Sequence, residues 1–251
     1  MQVTIIGTGN VATVLGKLIF THKHQINQVY GRNIDTARVL ANQINAKAID
    51  NLNELNNDAD IYIIAVSDKS IETICHQINL KDKIVLHTAG SVSIDLLKNS
   101  SSNYGVLYPI QSLRKNMDIE TPIPFLVDGN NETTILTIEN FAKTISQKVE
   151  RGNDNERLKL HTAAVFSCNF VNYMYLQSAN FCEANGIDFS LLQALIEETA
   201  TRIRTHHPKD VFTGPAVRKD MSTIEKHLEQ LKENPQAQQL YKLISEMIMQ
   251  A

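Results

Sequence analysis

The chain opens with a short β-branched run, Val3, Ile5 and Ile6, and passes at once into Val11, Val14, Leu15, Leu18 and Ile19 at helical spacing. A strand followed directly by a one-sided helix is the simplest reading. The same alternation recurs. Gln28-Val29-Tyr30 predicts a second strand, followed by a helix over Thr36–Ile44. From Asp58 to Asp68 a continuous apolar run ends in polar residues, as expected of a parallel strand buried on both faces. Ile71, Ile74, Cys75 and Ile78 then mark a helix, Lys83–Leu86 and Val106–Tyr108 further strands, and Pro109–Leu113 an irregular segment. Phe125–Gly129 predicts a strand and turn, Thr134–Ser146 a helix, and Lys148–Glu150 the last strand. The fold class expected is α/β, a doubly wound, mainly parallel sheet followed by an all-α C-terminal domain.

The alternation stops near Arg151-Gly152-Asn153-Asp154-Asn155-Glu156, a polar stretch in which Asn153 stands three residues before Glu156, a helix-start signal. The boundary is therefore placed at residues 1–152 and 153–251. His161–Ala184 is helical but apolar on several faces, through Val165, Phe166, Phe170, Val171, Met174, Leu176 and Phe181. Either the helix is wholly covered within its own subunit or it forms a dimer interface, and dimerisation is the more economical reading. Gly186-Ile187-Asp188 breaks the pattern, Phe189–Ile203 resumes it, and Thr213–Asp220 is a loop with a Gly-Pro break. Ser222 to Glu225 matches a capping box, and a last helix carries Leu240, Ile244 and Ile248.

The junction of the first strand and helix carries chemistry. Gly7-Thr8-Gly9-Asn10-Val11-Ala12 is a dinucleotide fingerprint with alanine at its third small position. Gly7 permits the tight turn, Gly9 lets backbone approach a pyrophosphate, and Ala12 keeps helix and strand close. The helix N-terminus then offers free N–H groups to phosphate, with Asn10 and Val11 in its first turn. At the end of the second strand Arg32, flanked by Asn33, offers a guanidinium where a dinucleotide fold meets the adenosine ribose, which favours the 2′-phosphate of NADP. Arg32 is alternatively a solvated arginine, with Asp35 as a cap for the next helix. Ala65, Val66 and Ser67 end the third buried strand where pyrophosphate and nicotinamide ribose would pass, and Ser67 or Asp68 caps the following helix. His87-Thr88-Ala89-Gly90-Ser91 is a further loop at the ligand-facing edge, with His87 turned either to the nicotinamide and substrate or to nearby backbone.

Composition adds limits. With 251 residues, 43% hydrophobic, the chain is long enough for one large or two modest domains with a buried core. A formal net charge of −3 with no long basic run gives a nucleic-acid surface no electrostatic support. No apolar stretch is long enough to span a bilayer and no signal sequence is apparent, so a cytoplasmic location is expected. Cys75, Cys168 and Cys182 lie in apolar helical patterns without metal spacing, and the adjacent His206 and His207 lack the neighbours of a metal site. No metal is expected.

Several segments together, GTGNVA, ADIYIIAVSD, HTAGS, YPIQSL, HTAAVFSCNF and TGPAVRKD, resemble an uncharacterised bacterial group of Rossmann-like candidate NADP oxidoreductases with a helical C-terminal domain of unknown function. That group is similar in turn to pyrroline-5-carboxylate reductase and the wider 6-phosphogluconate dehydrogenase-like superfamily. The resemblance implies an N-terminal NADP domain, a dimerising helical domain and a substrate site in the cleft between them. It implies that Gly7, Gly9, Asn10 and Val11 hold pyrophosphate, Arg32 and Asn33 the ribose phosphate, and Ala65, Val66, Ser67, His87 and Thr88 the nicotinamide side. Hydroxyacid dehydrogenases of the superfamily place a catalytic lysine four residues before an asparagine, but Val165 stands at that offset from Asn169. The glycine-rich, threonine-containing loop of pyrroline-5-carboxylate reductases is absent as such. His161, two helical turns before Asn169, is the first candidate proton donor, with His87 its rival, Asn169 an orienting donor and Arg218 an anchor for a substrate carboxylate. The expected function is hydride transfer between NADPH and a small carbonyl or imine. The alternative is a non-catalytic NADP-binding sensor.

Overall fold

The computed structural model describes residues 1–118 and 121–250. Its strands are β1 (Gln2–Ile6), β2 (Gln25–Tyr30), β3 (Lys47–Ile49), β4 (Ile61–Ile64), β5 (Ile84–His87), β6 (Asn103–Pro109), β7 (Phe125–Gly129) and β8 (Val149–Arg151). They form one eight-stranded sheet in the order β3-β2-β1-β4-β5-β6-β7-β8. All neighbours run parallel except β6 and β7. The exception has a local cause. No helix occurs among the described residues between Pro109 and Phe125, and a parallel return would need such a crossover, so β7 comes back antiparallel.

Each helix covers the sheet with the face its sequence makes apolar. α1 (Asn10–Thr21), α2 (Ile34–Gln43) and α4 (Glu132–Ile145) bury Leu15, Ile19, Leu40, Phe141 and Ile145 in one core with Ile5, Ile63 and Phe125. α3 (Asp68–Cys75) lies in a second core, with Ile71, Ile74 and Cys75 against Ile6, Ile64 and Val85. Helices therefore flank β1 and β4 from opposite cores. The chain reverses its winding between those two strands, and the crevice at their carboxyl ends is where such sheets bind ligands.

Three local expectations are corrected. β3 has no counterpart in the sequence reading, being three residues beside β2 with only Ile49 fully buried. α2 is capped by Asn33, whose Oδ1 accepts from the Asp35 and Thr36 amides, while Asp35 pairs with Arg38. α8 (Met221–Gln230) is capped by Asp220 and not by a box at Ser222, because Asp220 accepts from both the backbone and the hydroxyl of Thr223.

The chain divides into two compact units, Met1–Asn169 and Phe170–Ala251. The capping box at Asn153 and Glu156 is present and starts α5 (Asp154–Ala164), but this helix belongs to the first unit. Arg157 explains why. It is buried on the first unit, donating to Asp154 and to the Val92 carbonyl in the loop beyond β5. A π-helical turn, Val165–Phe170, follows α5, and the units divide inside it.

The second unit contains α6 (Val171–Ala184), α7 (Gln193–Arg202), α8 and α9 (Pro235–Gln250), with short 3-10 segments before and after α7. Among its described residues only Cys182, Ala216, Ile224 and Ser245 are buried. Phe170, Leu191, Leu195, Ile203, Phe212 and Met247 are each at least half exposed. A cavity of about 700 Å³ lies within this unit, lined by apolar side chains including Met174, Phe181, Leu240 and Ile248. No helix among the described residues is long and apolar enough to cross a membrane.

Candidate dinucleotide and active site

The loops after β1, β2 and β4 enclose a groove of about 450 Å³, lined by Gly7, Gly9, Asn10, Val11, Arg32, Ala65, Val66 and Ser67 among others. The backbone dictates the small residues. Gly7 has φ +134°, and a Cβ there would stand 2.2 Å from the Ala65 carbonyl oxygen, so no other residue fits. A Cβ on Gly31 would stand 2.6 Å from Thr8 Cγ2. Gly9 is different, with no heavy atom within 4 Å of its would-be Cβ. It is small where the groove is open, which leaves room for a ligand against the backbone.

The N-terminus of α1 points at that room. Its N-cap is Gly9, no side chain caps its amides, and its first turn has no acidic residue. The orphan N–H groups and positive dipole end are thus available to an anion. At the β2 end Arg32 is exposed and lines the groove, while Asn33 is occupied in holding the start of α2. Ser67 occupies the N-cap position of α3 without making a capping bond, its hydroxyl meeting that of Ser70 at 2.8 Å. Asp68 accepts from the Ser91 hydroxyl at 2.6 Å, tying the loop after β4 to the loop after β5. The residues present fit a phosphorylated dinucleotide.

His87 does not line this groove, and of the two readings the sequence left open it takes the one turned to nearby backbone. The ring has no exposed surface, and its Nδ1 accepts the Ala89 amide at 3.1 Å. Burial, reinforced by the Arg157 guanidinium and opposed by Asp154, holds its pKa down to about 4. The ring is neutral near pH 7 and serves the loop's conformation. Thr88 beside it is also buried. Because the unfolded chain takes up this proton near pH 6.5 and the folded chain only near 4, stability should be fullest above pH 6.5 and decline as pH falls toward 4. The decline from this residue is on the order of 3 kcal/mol. Denaturant unfolding of wild type and His87→Gln across that range should show a shallower acid slope in the variant, and equal slopes would contradict the assignment.

His161 occupies a different position. On α5 it faces the HTAGS loop so closely that a Cβ on Gly90 would stand 2.7 Å from its Cγ and Nδ1. Its Nδ1 lies 3.0 Å from the hydroxyl of Tyr108, and the two rings meet edge to face. Tyr108 stands near the end of β6, two residues beyond the Val106–His87 register pair, and is buried. Burial pushes its phenol pKa up, against the field of Arg157. Sequence reasoning missed Tyr108 and Gly90. The available signal was the YP dipeptide ending a strand at the edge where His87 ends the neighbouring one.

Asn169 is exposed in the π-helical turn. A π turn takes about one residue more than an α turn, so the eight residues from His161 to Asn169 span close to two turns of helix. Arg218 belongs to the second unit, exposed in the turn that precedes α8, and adds to the Thr223 hydroxyl and amide, which chiefly hold the Asp220 carboxyl's pKa low.

Comparison with known proteins agrees with this geometry. Residues 2–90 match the family described as NADP oxidoreductase coenzyme F420-dependent, and residues 123–248 match a domain of unknown function. A Bacteroides fragilis protein solved as a candidate NADP oxidoreductase is 33% identical, covering 100% of this chain and 98% of its own, with a TM-score of 0.93. Two more distant structures share the fold. A pyrroline-5-carboxylate reductase from Streptococcus pyogenes is 14% identical, with 100% and 99% of the two chains covered and a TM-score of 0.66. A reductive aminase from Aspergillus terreus, in complex with NADPH and ethyl levulinate, is 16% identical, with 99% and 93% covered and a TM-score of 0.75. A search of the curated proteins finds no match. The fold and groove define a Rossmann-type dinucleotide-binding protein. The chain belongs to the NADP oxidoreductase family in which this sheet domain is followed by the helical domain of unknown function.

Proposed function

We propose that the protein is an NADPH-dependent reductase of a small imine or carbonyl compound. The observation that carries this reading is the His161–Tyr108 pair set against Gly90, on the same sheet edge as the groove that fits the cofactor. The division into residues 1–152 and 153–251 is kept here as a proposal, supported by the end of the last strand at Arg151 and the start of α5 at Asp154. In this reading Gly7, Gly9, Asn10 and Val11 receive the pyrophosphate, Arg32 the 2′-phosphate, and Ala65, Val66 and Ser67 line the path toward the nicotinamide. Bound NADPH supplies a hydride. The chain supplies position and a proton. In its imidazolium form His161 gives its Nε2 proton to the substrate nitrogen or oxygen and is left as the neutral imidazole, its Nδ1–H donated to the Tyr108 hydroxyl oxygen. Asn169 orients the substrate.

The test is a screen of cyclic imines, imino acids and keto acids for NADPH oxidation. Consumption of cofactor with one of these classes is expected. Tight NADPH binding without oxidation by any of them would favour a sensor of the NADP state over an enzyme.

The second unit's exposed apolar side chains and its apolar cavity support a homodimer formed through the helical domain, because an isolated helical unit leaving Leu191, Leu195 and Met247 in water would be costly. Light scattering should give twice the chain mass at micromolar concentration, and a monodisperse monomer would remove the proposal. Free Cys75 and Cys182 suit a reducing compartment, which supports a cytoplasmic location.

A further inference from the structure

The stretch after β6, read from sequence only as irregular, holds a feature that the glycine fingerprint does not include. It returns to the N-terminus of α1. The Lys115 amide donates to the Asn10 side-chain oxygen at 3.4 Å, and Asn10 is the first residue of that helix. Arg114 to Met117 form a turn closed by the Met117 amide on the Arg114 carbonyl at 2.9 Å. Asn10, Arg114, Lys115, Asn116 and Met117 together line a recess of about 610 Å³, and Asn10 is also part of the dinucleotide groove wall. The two depressions meet at that residue.

The recess carries two cations. Arg114 and Lys115 are exposed, and neither has an ion-pair partner among the described residues. The first turn of α1 has no acidic side chain, in a chain whose formal net charge is −3. Two cations thus line a recess that shares Asn10 with the groove, beside an uncapped helix N-terminus and an open backbone at Gly9. Leu113, buried in the same core as α1, anchors the turn from below.

We propose that Arg114 and Lys115 form a cationic clamp on the pyrophosphate of the bound dinucleotide, with the Asn10–Lys115 contact holding the turn in place. The clamp acts on a group common to NADPH and NADH, whereas Arg32 acts on the 2′-phosphate that only NADPH carries. The inference rests on the NADP assignment and not on the reaction proposed above. Ammonium and guanidinium groups make charge-assisted hydrogen bonds to phosphate, and their effect on affinity weakens as salt rises.

The experiment is fluorescence titration of the full chain with NADPH, NADH and 2′-AMP, the last lacking a pyrophosphate. Lys115→Ala should raise the Kd for NADPH and NADH in parallel by about tenfold, with a larger effect when Arg114→Ala is added. Lys115→Arg should restore most of the affinity, 2′-AMP binding should stay unchanged, and unaltered thermal unfolding would show the fold intact. Unchanged Kd values for both dinucleotides, a loss confined to NADPH, or an equal loss for 2′-AMP would each overturn the clamp. A wild-type protein that binds none of the three probes would instead overturn the NADP assignment, and the clamp with it.

Discussion

His161→Phe is expected to bind NADPH normally and to turn over about a hundred- to a thousandfold more slowly, the usual contribution of a positioned general acid. Phenylalanine keeps a flat ring beside Gly90 and Tyr108 while removing both ring nitrogens. The loss should therefore appear in kcat rather than in cofactor affinity. Tyr108→Phe should lower kcat less, since it removes the partner that orients the imidazole and leaves the imidazole itself. An unchanged kcat in His161→Phe, measured with an acceptor found in the screen, would place the proton donor elsewhere. His87 is a poor substitute. It is fully buried, with its pKa held near 4, and its Nδ1 is used by the Ala89 amide.

Arg32→Ala is expected to weaken NADPH binding about ten- to a hundredfold, the range for losing charge-assisted bonds to a phosphate. NADH binding should change little. The reason is local: Arg32 is an exposed cation on the groove wall, and Asn33 fixes the backbone beside it by capping α2. Titration of wild type and variant with both cofactors checks this, and a preference that survives the substitution would remove Arg32 from the ribose phosphate. Arg32 and Lys115 thereby predict separable outcomes, one altering cofactor preference and the other altering affinity alone.

The sheet was legible in the sequence because its signals are physical necessities. A strand buried on both faces must be apolar throughout, as Ile61–Ile64 is, and the crossovers must be one-sided helices, as Val14, Leu15, Leu18 and Ile19 show. Gly7 was legible for a stricter reason: its φ and its contact with Ala65 admit no side chain. β3 left almost no trace, since a three-residue edge strand needs little apolar periodicity. The reversed direction of β7 goes with the lack of a crossover helix among the described residues between Pro109 and Phe125, and such a lack leaves no motif.

The candidate site was half legible. Residues read from the strand ends, such as Gly9, Arg32 and Ser67, line one groove. Tyr108, Gly90 and Arg157 did not emerge, because their roles arise from contacts across 53, 71 and 65 residues of sequence, to His161, His161 and Val92. No local pattern encodes such separations. The π-helical turn was equally hidden, yet it changes the register between His161 and Asn169 from that of a regular helix.

The most direct test of the reductase assignment is a single-turnover reaction with NADPH dideuterated at C4 of the nicotinamide and the best acceptor from the imine and keto acid screen. The account predicts a product carrying one deuterium at the former imine or carbonyl carbon, and a transfer step slowed by the heavier isotope. A product without deuterium, or bound NADPH that no acceptor in the panel oxidises, would contradict it.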